Sequence, residues 1–268
     1  MKIASWNVNS LKVRLPHLLD WLGQAAPDVV ALQETKLEDA KFPVDELAAA
    51  GYRSVFSGQK TYNGVAILAR EPLGEMCDVI TDVPGLDDPQ RRILAATVND
   101  TSGDPSRALR IVDLYVVNGK AVGDEKYDYK LHWLAKVREF LAGEHERHPN
   151  LVVLGDFNIA PDDRDVYDPA TWGEAILCSP PERAALRAIT DLGLHDSFRL
   201  FEPDAGHFSW WDYRQAAFRR NLGLRIDLIL IGDALKSAAV TASIDRTPRA
   251  WERPSDHTPV VLELSHAP

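Results

Sequence analysis

Residues 151–163 read "LVVLGDFNIAPDD". Leu151, Val152, Val153 and Leu154 form an unbroken apolar run, the pattern of a strand buried on both faces rather than one. Gly155 is expected to end that run, and Asp156, Phe157 and Asn158 follow at once. A strand made for a dry core thus delivers a carboxylate and a carboxamide at its tip. Turn chemistry alone produces such a pair, because Asp and Asn close strands by bonding their own backbone. The remainder of the chain decides between a turn and a reactive site.

Patterns of helix and strand alternate on both sides of this stretch. Strands are expected over Lys2–Val8, over "DVVALQET" from Asp28, and over residues 64–70, 92–98, 109–117, 226–232 and 259–265. Leu11, Leu15, Leu18, Leu19 and Leu22 recur at helical spacing, with Pro16 expected near the first turn. Residues 127–141 form a second helix with Leu131, Leu134, Val137 and Leu141 on one face, and residues 182–192 a third, capped by Gly193. A helix leading into an apolar strand with an acidic end occurs twice, ending at Glu34 and at Asp156. Two similar halves facing each other are expected. The strands at 92–98 and 109–117 have no helix between them, so the sheets are mixed. An α/β sandwich with central sheets and outer helices fits this order.

Composition sets the outer bounds. The chain has 268 residues, 45% of them hydrophobic, which suits a soluble protein with a large core. One catalytic domain over 1–268 is expected. No apolar run approaches the ~20 residues that span a bilayer. The start, "MKIASWNVNS", has no secretory-signal pattern, so a cytoplasmic protein is expected. The two cysteines, Cys77 and Cys178, have no zinc-type spacing and are expected to be buried thiols. The net charge of −10 argues against a nucleic-acid partner only if charge is evenly spread. Between 206 and 226 it is not: Arg214, Arg219, Arg220 and Arg225 interleave with Phe208, Trp210, Trp211, Tyr213 and Phe218. Arginine among aromatics suits phosphate contact and stacking.

The polar tips of the apolar strands are Asn7 and Asn9, Glu34, Tyr115 and Asn118, Asp156 and Asn158, Asp227, and Asp256 with His257. Each one alone reads equally as a turn, a cap or a solvent-facing group. Their recurrence at strand ends points to one shared site.

The motifs "SWNVN", "LQETK", "YVVNG", "GDFNIAP", "FSWWDYR", "LRIDLIL" and "PSDHTPV" occur in the order found in the exonuclease III family of abasic-site endonucleases. The chain resembles that family over nearly its whole length, within the larger endonuclease/exonuclease/phosphatase superfamily. The turn after Tyr115 departs from the family pattern, with Val117 where proline is usual. The resemblance implies a four-layered α/β sandwich, two central mixed sheets flanked by helices, with the active site at one end of the sheets. It implies Glu34 as the main metal ligand, with Asn9 and Asp256 nearby. Asn7 and Asp156 would bracket the attacking water, and Asn158 and His257 would meet the phosphate, with Asp227 orienting His257. Tyr115 would reach the phosphate or leaving group. Asn118, Lys126, Arg214 and Arg225 would contact DNA, and Trp210, Leu224 and Ile226 would surround a pocket for a base-less sugar.

These residue types suit phosphodiester hydrolysis, which needs an aligned water, charge neutralisation and help for a leaving alkoxide. A hard divalent cation on oxygen ligands serves here, Mg²⁺ with Mn²⁺ as a substitute. Asp156 or His257 is the general base; sequence leaves both open. The implied substrate is double-stranded DNA with abasic sites or blocked 3′ ends, cut by a monomeric enzyme. A lipid- or inositol-phosphate hydrolase on the same fold would lack the "FSWWDYR" segment, and a silent DNA-binding scaffold would have lost the acidic tips.

Overall fold

A computed structural model describes residues 1–71, 73, 75–99 and 104–265. Two six-stranded sheets form its centre. The first contains β1 (Lys2–Asn7), β2 (Val29–Gln33), β3 (Tyr52–Ser57), β4 (Val65–Arg70), β13 (Ala239–Ile244) and β14 (Val260–Leu264), in the order β13-β14-β1-β2-β4-β3. The second contains β5 (Met76–Ile80), β6 (Ile93–Val98), β7 (Leu109–Tyr115), β8 (Leu151–Asp156), β9 (Leu194–Asp196) and β12 (Asp227–Gly232), in the order β5-β6-β7-β8-β12-β9. The short strands β10 (Trp210–Trp211) and β11 (Gly223–Leu224) pair with each other.

Among the described residues each sheet has one parallel pair, β1 with β2 and β7 with β8, and the other pairings are antiparallel. The parallel pairs are joined by α1 (Leu11–Ala25) and α3 (Glu125–Arg147). The two helix-then-strand repeats of the sequence are therefore two βαβ units, one per sheet, because parallel strands need a crossover helix. Also present are α2 (Val44–Ala49) and α5 (Pro180–Thr190), with single turns α4 (Pro169–Trp172), α6 (Ala217–Arg220) and α7 (Asp233–Lys236).

Strand alternation builds the layers. Ile3, Val29, Ala31, Ile111, Val152, Leu154 and Ile229 meet between the sheets. Ala4, Trp6, Val30 and Leu32 face outward onto Leu11, Leu18, Trp21 and Leu47 of α1 and α2. Val112, Leu151, Val153 and Leu228 face Trp133, Leu134, Val137, Leu186 and Ile189 of α3 and α5. The result is helix, sheet, sheet, helix, and it explains why β8 is apolar at consecutive positions.

Gly155 lies inside β8, where the sequence suggested a strand end. It pairs with Leu114 on one side and Leu228 on the other, at φ +136°. A Cβ there would lie 2.0 Å from the Leu114 carbonyl oxygen, so only glycine lets β7 come this close. Helix α3 extends beyond 127–141 at both ends, with the buried Glu144 of its last turns bonded to Arg110. Pro16 falls in the second turn of α1, and α5 is closed at Asp191, with Gly193 two positions beyond. Cys178 is buried, but Cys77 is exposed because β5 lies at a sheet edge. Among the described residues, no helix is long and apolar enough to cross a membrane.

Candidate active site

Toward the C-terminal ends of β1, β2, β7 and β8 the space between the sheets turns from apolar to polar. The alternation that sends Ile3, Ala31, Ile111, Leu154 and Ile229 inward also sends Ser5 and Asn7, Gln33, Asp113 and Tyr115, Asp156, and Asp227 to the same face. Ser5, Gln33 and Asp113 form a buried first layer: Gln33 Nε2 donates to Asp113 Oδ1 at 2.7 Å and to Ser5 Oγ at 3.0 Å.

The next layer contains the candidate reactive groups. Asn7 Nδ2 donates to Glu34 Oε1 and to Asp156 Oδ2, both at 2.9 Å. One carboxamide thus ties a carboxylate of the first sheet to one of the second. Asn158 takes a left-handed backbone at φ +48°, and its N–H donates to Asp156 Oδ1 at 2.9 Å. Its Nδ2 donates to the Val116 carbonyl, and its Oδ1 accepts from Asn118 Nδ2, both at 3.0 Å. Val117 in place of proline leaves Asn118 beside Asn158.

His257 is buried, with Nδ1 2.9 Å from Asp227 Oδ2 and Nε2 3.7 Å from Asp156 Oδ2. Burial works against the imidazolium, but Asp227 and Asp156 outweigh it and raise the His257 pKa. Asp156 is raised as well, by burial first, with His257 opposing and Asp227 and Glu34 adding to it. Tyr115 is held as a neutral phenol by burial and by Glu34 and Asp156. The Arg92 guanidinium lies 4.7 Å from the Tyr115 ring centre, a cation–π contact.

Glu34, Asp156 and His257 each offer a ligand atom, all within 4.8 Å of one another. His257 Nδ1 faces Asp227, and the hard donors of the group are the carboxylate oxygens of Glu34 and Asp156. Hard oxygen donors fit magnesium or manganese and do not fit a zinc site built on thiolates. Asp256 and Asn9 lie to one side: Asn9 Nδ2 donates to Asp256 Oδ1 at 2.9 Å, and Asp256 Oδ2 accepts from Trp210 Nε1 at 3.0 Å. They connect to Glu34 through Lys36, whose Nζ is 2.9 Å from Glu34 Oε2 and also bonds Asn9 Oδ1.

The basic segment is only partly a surface. Arg214, Arg219 and Arg220 are exposed. Arg225 is buried, its Nε 2.5 Å from Asp165 and its NH2 2.7 Å from Asp196, so it joins the scaffold and not the exposed basic face expected of it. Lys126 is exposed on the first turn of α3. Trp210 lines a pocket of about 240 Å³ with Tyr167, Trp172, Asp212 and Arg214. Leu224 and Ile226 are buried behind it against Ala160, Val166, Leu177 and Cys178.

Several supporting residues had no role in the sequence reading. Ser209 Oγ donates to Asp227 Oδ2 at 2.6 Å and accepts from the Ile226 and Asp227 amides at 3.1 Å. Arg14 ties the carbonyls of Asn9 and Pro254 together. Ser209 stands in the quoted "FSWWDYR" and Lys36 in "LQETK", but nothing local marks what they hold.

The pattern of the Endonuclease/Exonuclease/phosphatase family matches residues 4–257. The chain is similar to exodeoxyribonuclease III of Haemophilus influenzae, 36% identical over 274 aligned positions that cover 98% of this chain and all of the relative. It is similar to a 3′ phosphatase from Neisseria solved with a product DNA hairpin: 48% identity, TM-score 0.93, covering 98% of this chain and 99% of the other. An AP endonuclease from Archaeoglobus fulgidus superposes with TM-score 0.90 at 35% identity, covering 98% of this chain and 99% of the other.

Proposed function

The chain belongs to the Endonuclease/Exonuclease/phosphatase family, and on that premise we propose that it is a magnesium-dependent DNA-repair phosphodiesterase. Its activities are incision 5′ to an abasic site, 3′→5′ exonuclease action and removal of 3′ blocks from duplex DNA. One observation carries this reading: Glu34 and Asp156, from different sheets, share the Asn7 amide beside a histidine flanked by Asp227 and Asp156.

Asp156 takes the proton from the attacking water, and Asn7 holds that carboxylate in place. The raised proton affinity of Asp156 supports this division, as does the stabilised imidazolium of His257, which is a poor base. His257 instead donates to a phosphoryl oxygen and offsets the negative charge that builds up there. Asp227, backed by Ser209, fixes its ring. Asn158 and Asn118 add neutral donors, and the Tyr115 phenol donates toward the phosphate or the departing oxygen. Glu34 would hold the divalent ion, with Asp256 and Asn9 on its flank; when bound, that ion supplies Lewis-acid charge at the phosphoryl group.

Lys126 and Arg214, with Arg219 and Arg220, contact phosphates on either side of the site. Abasic incision also needs room for a base-less sugar, and the pocket beside Trp210 is the space for it, with Leu224 and Ile226 supporting its wall. The enzyme acts as a single catalytic domain over 1–268, as a monomer in the cytoplasm. The test uses Mg²⁺ and three duplexes, carrying an abasic-site analogue, a recessed 3′ end and a 3′-phosphate. A single nick 5′ to the analogue and processing of both ends are expected; no reaction on any duplex would overturn the reading.

A further inference from the structure

Lys130 is fully buried on α3, outside the groups that face the phosphate site. Its Nζ donates to the Asn158 carbonyl at 2.7 Å, to the Asn118 carbonyl at 3.2 Å and to Glu182 Oε1 at 2.5 Å. An ammonium has three protons, so its capacity is filled. The partners come from three segments: the turn after β7, the turn after β8, and the start of α5.

Glu182 is also fully buried and saturated. It accepts from the Leu177 and Ser179 amides, both at 3.1 Å, and from Ser179 Oγ at 2.6 Å. Stability does not account for such a pair, because apolar residues in place of a buried ion pair are often as stable or more so. The contacts between α3 and α5 are already apolar through Trp133, Leu134, Val137, Leu186 and Ile189. What the ammonium does that a leucine could not is hold two backbone carbonyls at one point. Both belong to residues whose carboxamides bond each other at 3.0 Å, and one of them, Asn158, sits in the left-handed region.

We propose that Lys130 is a positioning residue: by binding the Asn118 and Asn158 carbonyls it fixes their carboxamides at the phosphate site. The inference rests on the phosphodiesterase reading above. Lys130 touches no reacting atom and acts through Asn158 and Asn118.

The experiment compares wild type, Lys130→Met, Lys130→Arg, Asn158→Ala and Lys130→Met/Asn158→Ala on the 3′-phosphate duplex. Circular dichroism and melting establish that each variant is folded at the assay temperature. Displacing a group by about 1 Å costs on the order of 10²-fold in rate, so kcat of Lys130→Met should fall roughly 10- to 100-fold. KM should stay within about threefold, since the long phosphate contacts are untouched. Lys130→Arg should recover most of the loss. In the Asn158→Ala background Lys130→Met should add little, because residues acting through one another are not additive. If Lys130→Met does not fold, Lys130→Met/Glu182→Gln removes both charges and keeps one oxygen for the Ser179 amide and hydroxyl; it should show the same kcat loss. A folded variant with kcat within twofold of wild type, or fully additive losses, would overturn the proposal. Wild type inactive on all three duplexes would overturn the functional reading instead.

Discussion

The Asn7 carboxamide on β1 donates to the Asp156 carboxylate on β8 across 2.9 Å, a direct bond that ties the first sheet to the second. Asn7→Ala should leave the fold intact and lower the single-turnover cleavage rate by ~10²-fold, the scale for losing a preorganised donor. Asn7→Asp should be worse, because it places a third carboxylate between Glu34 and Asp156. An Asp variant as fast as wild type would remove Asn7 from the site.

Glu34 makes the metal requirement testable. Excess chelator should abolish cleavage, and Mg²⁺ or Mn²⁺ should restore it. Glu34→Gln keeps the acceptor oxygen for Asn7 but loses the charge, so the Mg²⁺ concentration for half-maximal rate should rise at least about tenfold while melting without metal barely changes. An unchanged Mg²⁺ titration would remove Glu34 from the ligand set.

The sequence made the central frame readable because both faces of the inner strands are covered. Leu151–Leu154 is apolar at every position, and the same period of two that builds the core carries Asn7, Asp156 and Asp227 to its open end. The edge strands were not readable. β13 is largely solvent-facing and is defined by pairing with β14, β5 holds a register shift around Asp78, and β9 has three residues. Arg225 was misplaced for a related reason: its partners Asp165 and Asp196 lie 60 and 29 positions away, and only folding closes them on it. Lys130 and Ser209 stayed hidden because their work is to hold another group, and that appears only as a distance.

Asp113 predicts a pH dependence of stability. It is fully buried, Oδ2 has no hydrogen-bond partner among the described residues, and burial raises its pKa well above 3.8 against the opposing bond from Gln33. The unfolded carboxyl ionises near 3.8 while the folded one stays protonated, so above that pH the native state holds more protons. Stability from this group is therefore complete below the unfolded pKa and declines as pH rises toward the folded one. A carboxamide at this position does not titrate, so the advantage of Asp113→Asn in urea unfolding should grow as pH rises above about 4. A difference independent of pH would show that Asp113 is ionised in the native state.

Arg225 and Arg214 should separate cleanly. Arg225→Ala leaves the buried Asp165 with Arg199 as its remaining arginine and takes a guanidinium from the half-buried Asp196, so it should cost about 1–3 kcal/mol in stability. Arg214→Ala should leave stability within about 0.5 kcal/mol and weaken DNA binding, reducing the slope of log K against log salt by about 1. The reverse pattern would place Arg225 at the DNA and Arg214 in the scaffold.

Trp210 and Leu224 face each other across β10 and β11 but should answer to different assays. Leu224 is fully buried against Val166, Leu177 and Ile226, so Leu224→Ala should cost about 2–5 kcal/mol and reduce activities only through loss of folded protein. Trp210 is half-buried at the rim of the 240 Å³ pocket, with Nε1 bonded to Asp256 Oδ2. Trp210→Ala should cost less stability and should lower abasic-site incision more than 3′-phosphate removal, because the small terminal phosphate uses the catalytic groups without filling the pocket. Trp210→Phe keeps an aromatic wall and loses the bond to Asp256, so it should restore selectivity for the abasic duplex. Equal losses on both substrates with a stability cost as large as that of Leu224→Ala would make Trp210 a core residue and remove the pocket from the mechanism.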